Sequence, residues 1–159
     1  MIGPSDWSSA MIALDGMIVA QGPKGRRTIA VRDFVTGPFQ NVLASNEIAI
    51  EAIIPATKGI RFGGYLKLER RIGDFATAGV AVALELSGAS VIRAGIGLTG
   101  VGSSTVNAID AAQSLVGSPL TSEAIERAAD LAAQAAQPRS DHRGSATYKR
   151  QVVRTFVVR

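Results

Sequence analysis

Three stretches of this sequence space their residues as chemistry would need them. GIGLTG places glycines at 95, 97 and 100, the G-x-G-x-x-G spacing that cradles a dinucleotide pyrophosphate at a helix N-terminus. YLKLERRIGDF gathers Tyr65, Lys67, Glu69, Arg70, Arg71, Asp74 and Phe75 around one strand and turn. That cluster is either an ion-paired edge strand or a lysine and an aromatic presented to a planar ligand. DHRGS sets His142 and Arg143 beside Ser145, which suits a bound phosphate or, more simply, a turn followed by a helix cap.

The surrounding pattern removes several chemistries. A dinucleotide loop needs a buried parallel strand before it and a second parallel strand about 30 residues later. Here the preceding strand alternates Arg93, Gly95 and Gly97 with isoleucine and leucine, as half-exposed antiparallel strands do. The helix after it leads into another helix, so the glycines read as close packing and a turn. Asp74, Glu85 and Asp110 fall on different elements and form no acid/base pair. No nucleophile triad is readable. With no cysteine and one histidine, His142, the chain offers no thiolate or histidine cage for a metal.

Charge and hydropathy narrow the partners. The net charge is +4, and the excess lies at the end of the chain. Beyond residue 137, Arg139, Arg143, Lys149, Arg150, Arg154 and Arg159 face one acid, Asp141. No aromatics alternate with these charges in a stacking pattern, so a solvated face or a subunit contact is expected rather than nucleic acid. The first 22 residues lack a basic start, and Asp6 and Asp15 interrupt their apolar part, which argues against a signal peptide. No apolar run is long enough to span a bilayer. A cytoplasmic protein is expected.

These residues must be positioned by elements whose periods are legible. A helix is predicted over 5–14, with Trp7, Met11, Ile12 and Leu14 apolar, and Asp15-Gly16 as its stop. Strands are predicted over 17–21 and 27–31 around a Gly/Pro hairpin, and over 48–55. ATKGIRFGG has no periodicity and marks a boundary near residue 60. Three further strands follow, over 65–71, 80–86 and 91–98. In the last two, Val80, Val82, Leu84 and Leu86 share a face with Ala94, Ile96 and Leu98, continuing from Ile92. Helices are predicted over 106–117, 121–137 and 145–158. In the last of these Tyr148, Val152, Phe156 and Val157 oppose Lys149, Arg150 and Arg154. The fold class expected is α+β, with a three-stranded antiparallel sheet packed against three helices.

Taken together, RDFVTGPFQNVLASNEI, IPA, YLKLERRIGDFATAGVAVAL, IGLTGVGSSTVNAIDAAQSLVGSPL and RGSATYKRQVV resemble the FAD-binding medium subunit of the molybdenum hydroxylases, of the carbon monoxide dehydrogenase type. The resemblance covers essentially the whole chain. It implies that 1–59 is the C-terminal part of an FAD-binding domain, an α/β remnant, and that 60–159 is the family's C-terminal domain. It implies FAD as cofactor, a molybdopterin-containing large subunit and an iron–sulfur small subunit as partners, and electron transfer as the task.

The resemblance also carries over four site residues. PSDW makes Asp6 a residue near the FAD, VLASNEI places Leu43 at the flavin site, and YLKLERR places Lys67 near the isoalloxazine. Phe75, in GDFATA, stands where relatives often have a tyrosine against the ring. Phenylalanine keeps the stacking surface without the hydroxyl. The family's glycine-rich pyrophosphate loops have no counterpart here beyond Met1-Ile2-Gly3. Two roles therefore remain open: a flavin subunit of a larger complex, or a docking module that does not hold FAD alone. An incomplete FAD domain should leave apolar surface exposed within the first 60 residues.

Overall fold

Gly22-Pro23-Lys24-Gly25 reverses the chain tightly because Gly25 takes φ +109°, a conformation open to glycine. The turn joins β1 (Met17–Gly22) to β2 (Gly25–Ala30) in an antiparallel hairpin. On its other side β1 pairs with β5 (Ile48–Ile53), giving a three-stranded sheet in the order β2-β1-β5. The computed structural model describes residues 5–57 and 59–159, so the Met1–Gly3 segment lies outside the described residues. Helix α1 (Asp6–Ala13) precedes this sheet. Between β2 and β5 the turn-rich stretch folds into a helical turn α2 (Val31–Phe34) and a small hairpin, β3 (Val35–Gly37) and β4 (Gln40–Asn41).

The second sheet is antiparallel, in the order β6-β7-β8-β9. Its three long strands are β6 (Ile60–Leu68), β7 (Ala78–Ser87) and β8 (Ser90–Thr99). A two-residue strand, β9 (Val106–Asn107), adds a fourth where a helix was expected to begin, and α3 is confined to Ile109–Gln113. Val106 and Asn107 pair with Leu98 and Gly97, so sheet edge bonds win over local helix propensity there. Helices α4 (Ser122–Ala135) and α5 (Ala146–Val158) complete the chain. The architecture is α+β.

Alternation in β7 and β8 decides what covers each face. Val80, Ile96 and Leu98 are buried in one core with Ala111, Leu115, Ala128, Ala132 and Val153, and Val82, Leu84 and Ala94 pack against it. Burying a side chain such as Ile96 contributes about 1.5–3 kcal/mol. Ile92 does not continue this face. A bulge shifts the register so that Glu85 faces Arg93 and Leu86 faces Val91, leaving Ile92 exposed and Val91 buried.

The opposite face is unusually smooth. Gly97 lies opposite Ala81, and Gly95 opposite Ala83. Helix α1 lies directly on these residues: a β-carbon on Gly95 would stand 2.0 Å from the Ala13 carbonyl oxygen. Ala13, Ala81 and Ala83 form one small apolar cluster. Gly100 takes φ +76° in the turn that follows. The G-x-G-x-x-G spacing is therefore the bed of a helix and a turn. This close approach also turns Ser8 and Ser9 inward and leaves Trp7 exposed, against the apolar spacing of that helix.

The last helix departs from its amphipathic reading as well. Tyr148 is exposed, while Lys149 is buried. Arg154 turns back onto α4 to pair with Glu126 and Asp130. The terminal basic residues are thus partly consumed by internal ion pairs, which no local charge count could reveal.

Candidate functional site

Asp6 stands in the first turn of α1, where the helix dipole favours a carboxylate. Tyr65 and Lys67 are two apart on β6 and so project to one face. The Tyr65 hydroxyl donates to Asp6 Oδ1 at 2.7 Å, and Lys67 Nζ donates to Asp6 Oδ2 at 2.9 Å. Lys67 Nζ also lies 2.7 Å from Glu69 Oε2. The hydrogen bonds to Glu69 and then Asp6 raise the Lys67 pKa above its ordinary value. Burial, followed by the bond to Asp6, pushes the Tyr65 phenol up, so it stays a donor.

A cavity of about 670 Å³, whose lining includes none of Asp6, Tyr65, Lys67 and Glu69, opens between the β3–β4 turn, the segment joining β6 to β7, the loop after β8 and the turn before α5. Its size matches a ring-bearing organic ligand rather than an ion, since such pockets run from about 300 to 1,000 Å³. Phe75 and Phe39 line it and are both more than half exposed. Phe39 holds φ +58°, a backbone conformation that costs a bulky residue about 1–3 kcal/mol and gathers at functional sites. Thr99 also lines the cavity. Its hydroxyl is buried and has no partner among the described residues. Arg139, His142 and Arg143 supply a basic wall.

Leu43 lies just beyond β4, half-buried against the cluster of Met11, Ile12, Ile18, Val31 and Phe34. The loop that carries it is clipped by Glu47, which accepts from Arg27 Nε at 2.8 Å, Arg27 Nη2 at 2.7 Å and the Ala44 amide at 2.8 Å. These bonds, the arginine first, hold the Glu47 carboxyl at about 2, far below its ordinary 4.5.

The structure thus brings Asp6 and Lys67 into direct contact and places Phe75 on the cavity wall. Leu43 packs against the Met11–Phe34 cluster and does not line the cavity, so the four do not converge on one cavity. Sequence reasoning missed Phe39 and Thr99. The available signals were an aromatic after Gly37-Pro38 and a hydroxyl ending the apolar and glycine-rich run Ala94–Leu98. Ser145 is the helix cap expected of DHRGS, accepting from the Tyr148 amide at 3.1 Å. A second cavity, of about 480 Å³ between β6–β7 and α4–α5, is lined mainly by apolar side chains such as Phe62, Val82, Leu84 and Phe156. Among the described residues no group of three acids or histidines could hold a metal, and no helix is long and apolar enough to cross a membrane.

Comparison with known proteins adds to this geometry. The chain is 36% identical to the carbon monoxide dehydrogenase medium chain of Hydrogenophaga pseudoflava, covering 98% of this chain and 54% of that one. It is 33% identical to the nicotine 6-hydroxylase medium subunit of Paenarthrobacter nicotinovorans, over 97% of this chain and 54% of that subunit. A solved structure of the Hydrogenophaga carbon monoxide dehydrogenase lacking the Mo-pyranopterin moiety superposes with a TM-score of 0.92 at 36% identity, over 98% of this chain and 55% of that one. The chain spans about half the length of these relatives. Residues 2–57 match the FAD-binding domain in molybdopterin dehydrogenase. With residues 64–159 matching the CO dehydrogenase flavoprotein C-terminal domain, the chain belongs to the CO dehydrogenase flavoprotein family.

Proposed function

We propose that this chain is the flavin-facing part of a medium subunit in a molybdenum hydroxylase complex. Its task is to help pass electrons from the iron–sulfur clusters of a small subunit, through FAD, to an acceptor. Substrate oxidation then belongs to a separate molybdopterin-containing large subunit. Residues 1–59 are read as the C-terminal part of the FAD-binding domain and 60–159 as the C-terminal domain.

One observation carries this reading: the cavity walled by Phe75, in a chain that matches an FAD-binding domain over residues 2–57. The residues present fit a flavin. Two aromatic side chains offer apolar surface, and the unpartnered Thr99 hydroxyl offers a polar atom at the cavity lining. Bound FAD supplies the redox chemistry, accepting and releasing electrons. The chain's own residues bind and orient it: Phe75 gives an apolar face on the cavity wall, and Lys67, outside that lining, is the basic residue that the family resemblance sets near the isoalloxazine. Asp6 holds Lys67 in place, and Leu43 supports the hairpin that carries Phe39.

A docking module that binds no FAD alone is the second reading. It is favoured by β5, an edge strand whose Ile48 and Ile50 are exposed, as is Ile54 just beyond it. Such an edge calls for a cover. Titration of the purified chain with FAD, followed by visible absorbance and flavin fluorescence, separates the two. Saturable quenching at roughly micromolar FAD, lost in Phe75→Ala and Lys67→Ala, supports the flavin reading. No binding up to about millimolar, which is about 4 kcal/mol of affinity, overturns it for this chain and leaves docking.

A further inference from the structure

We propose that Arg143 is a positioning residue that fixes Phe75, and with it the aromatic wall of the cavity, from the turn before α5. The purpose assigned to this strut rests on the flavin reading, but its mechanics do not. Phe75 belongs to the segment between β6 and β7, where Ile72 is fully exposed and Gly73 takes φ +89°. The base of the segment is closed by the Thr77 amide donating to the Leu68 carbonyl at 2.8 Å, and an internal turn is made by the Asp74 amide and the Arg71 carbonyl. Among the described residues, one hydrogen bond reaches residues 70–76 from outside. Arg143 Nη1 donates to the Phe75 carbonyl oxygen at 2.8 Å, across 68 positions of sequence.

The backbone that carries this guanidinium is itself anchored. The Arg143 amide donates to Asp141 Oδ1 at 2.8 Å. The other oxygen of Asp141 accepts from Lys149 Nζ at 2.7 Å, and Lys149 also donates to the Arg139 carbonyl at 2.9 Å. Lys149 is buried on α5, so its ammonium ties the whole turn to the helix. Gly144 closes the turn at φ +151°, its α-carbon so near Tyr148 that a β-carbon would stand 2.7 Å from the ring. Asp141 is held below its ordinary pKa by Lys149 first and the Arg143 amide second, which keeps it a charged acceptor. The line of contact therefore runs from α5 through Lys149, Asp141 and Arg143 to Phe75. A charge-assisted bond to a carbonyl is stronger than a neutral one, so one such strut can restrain an exposed segment.

Limited trypsin digestion reads this directly, because Arg70 and Arg71 are exposed within the segment. In Arg143→Ala the rate of cleavage at these two sites, located by mass spectrometry, should rise roughly tenfold or more, the loss expected from one charge-assisted hydrogen bond. The urea midpoint should stay within error of wild type, and Arg143→Lys should restore part of the protection. Arg139→Ala, which removes a neighbouring exposed arginine without the strut, should cleave at the wild-type rate. If Arg143→Ala folds poorly, hydrogen exchange over 70–77 in Arg143→Gln gives the same comparison. Wild-type cleavage or exchange in a folded Arg143 variant overturns the strut. An FAD titration of wild type and Arg143→Ala tests the purpose separately. Weaker flavin quenching in the variant supports a role in the flavin wall. An absence of binding in wild type refutes the flavin reading and leaves the protease result to decide the strut.

Discussion

The carbonyl oxygen of Ser9 lies 2.1 Å from the point where a β-carbon on Gly97 would stand. Contact this close is between backbones, so neither partner can yield by rotating a side chain. Gly97→Ala must push α1 off the sheet and should destabilise the fold by about 1–3 kcal/mol, the usual cost of overpacking. Gly64→Ala, on an open stretch of β6 with nothing near the added carbon, should be close to neutral. Urea unfolding of the two variants checks the contrast. Equal midpoints would show that α1 is not held by these glycines.

The same contact shows what the sequence could and could not tell. Alternation in Val80-Ala81-Val82-Ala83-Leu84 and Ala94-Gly95-Ile96-Gly97-Leu98 made the two strands and their inner face legible, because a period of two is a local signal. It also exposed the glycine spacing as something other than a nucleotide loop. What covers the small-residue face is α1, some 80 residues earlier, and no local pattern names that partner. Ile92 was misplaced because a bulge shifts the register by one residue, and Lys149 because its acceptor, Asp141, lies in a turn outside the helix. Lys67 and Phe75 stand out by type within one strand and turn, but only the family resemblance sets them near a flavin. Thr99 and Arg143 matter only through what they face, which is long-range information.

Glu47 makes an acid-side prediction. Its folded pKa is about 2 against an ordinary 4.5, so the folded state favours the ionised carboxylate. The stabilisation is fully present above about pH 4.5 and is lost as the pH falls through about 2. Wild type should therefore lose stability relative to Glu47→Gln across that window, and the gap between their urea midpoints should narrow from pH 7 to pH 2.5. A gap that stays constant would remove the Arg27–Glu47 pair from any account of the Leu43 loop.

Tyr65 makes an alkaline one. Its phenol titrates above its ordinary value of 10, burial being the larger cause and Asp6 the second. Here the folded state holds its proton longer than the unfolded chain, so stability falls as the pH rises past about 10. Absorbance at the phenolate band should show a late phase that disappears in Tyr65→Phe. In Asp6→Asn that phase should move only part of the way back, because burial remains. A full return would assign the shift to Asp6 alone.

Thr99 separates the demands of folding from those of binding. Its hydroxyl is buried on the cavity lining with no partner among the described residues. A buried unpaired polar group costs about 1–3 kcal/mol. Thr99→Val keeps the branched shape and replaces the hydroxyl with a methyl, so the ligand-free chain should gain about 1 kcal/mol in urea unfolding. Addition of FAD should reverse the order, because wild type can offer the ligand a hydrogen bond that valine cannot. The decisive comparison is the shift in unfolding midpoint on adding FAD, larger in wild type than in the variant. Equal shifts would mean that this hydroxyl does not face the flavin. A destabilised variant without ligand would mean that water already satisfies the hydroxyl, and the cavity would then be a wet cleft rather than a site awaiting a polar partner.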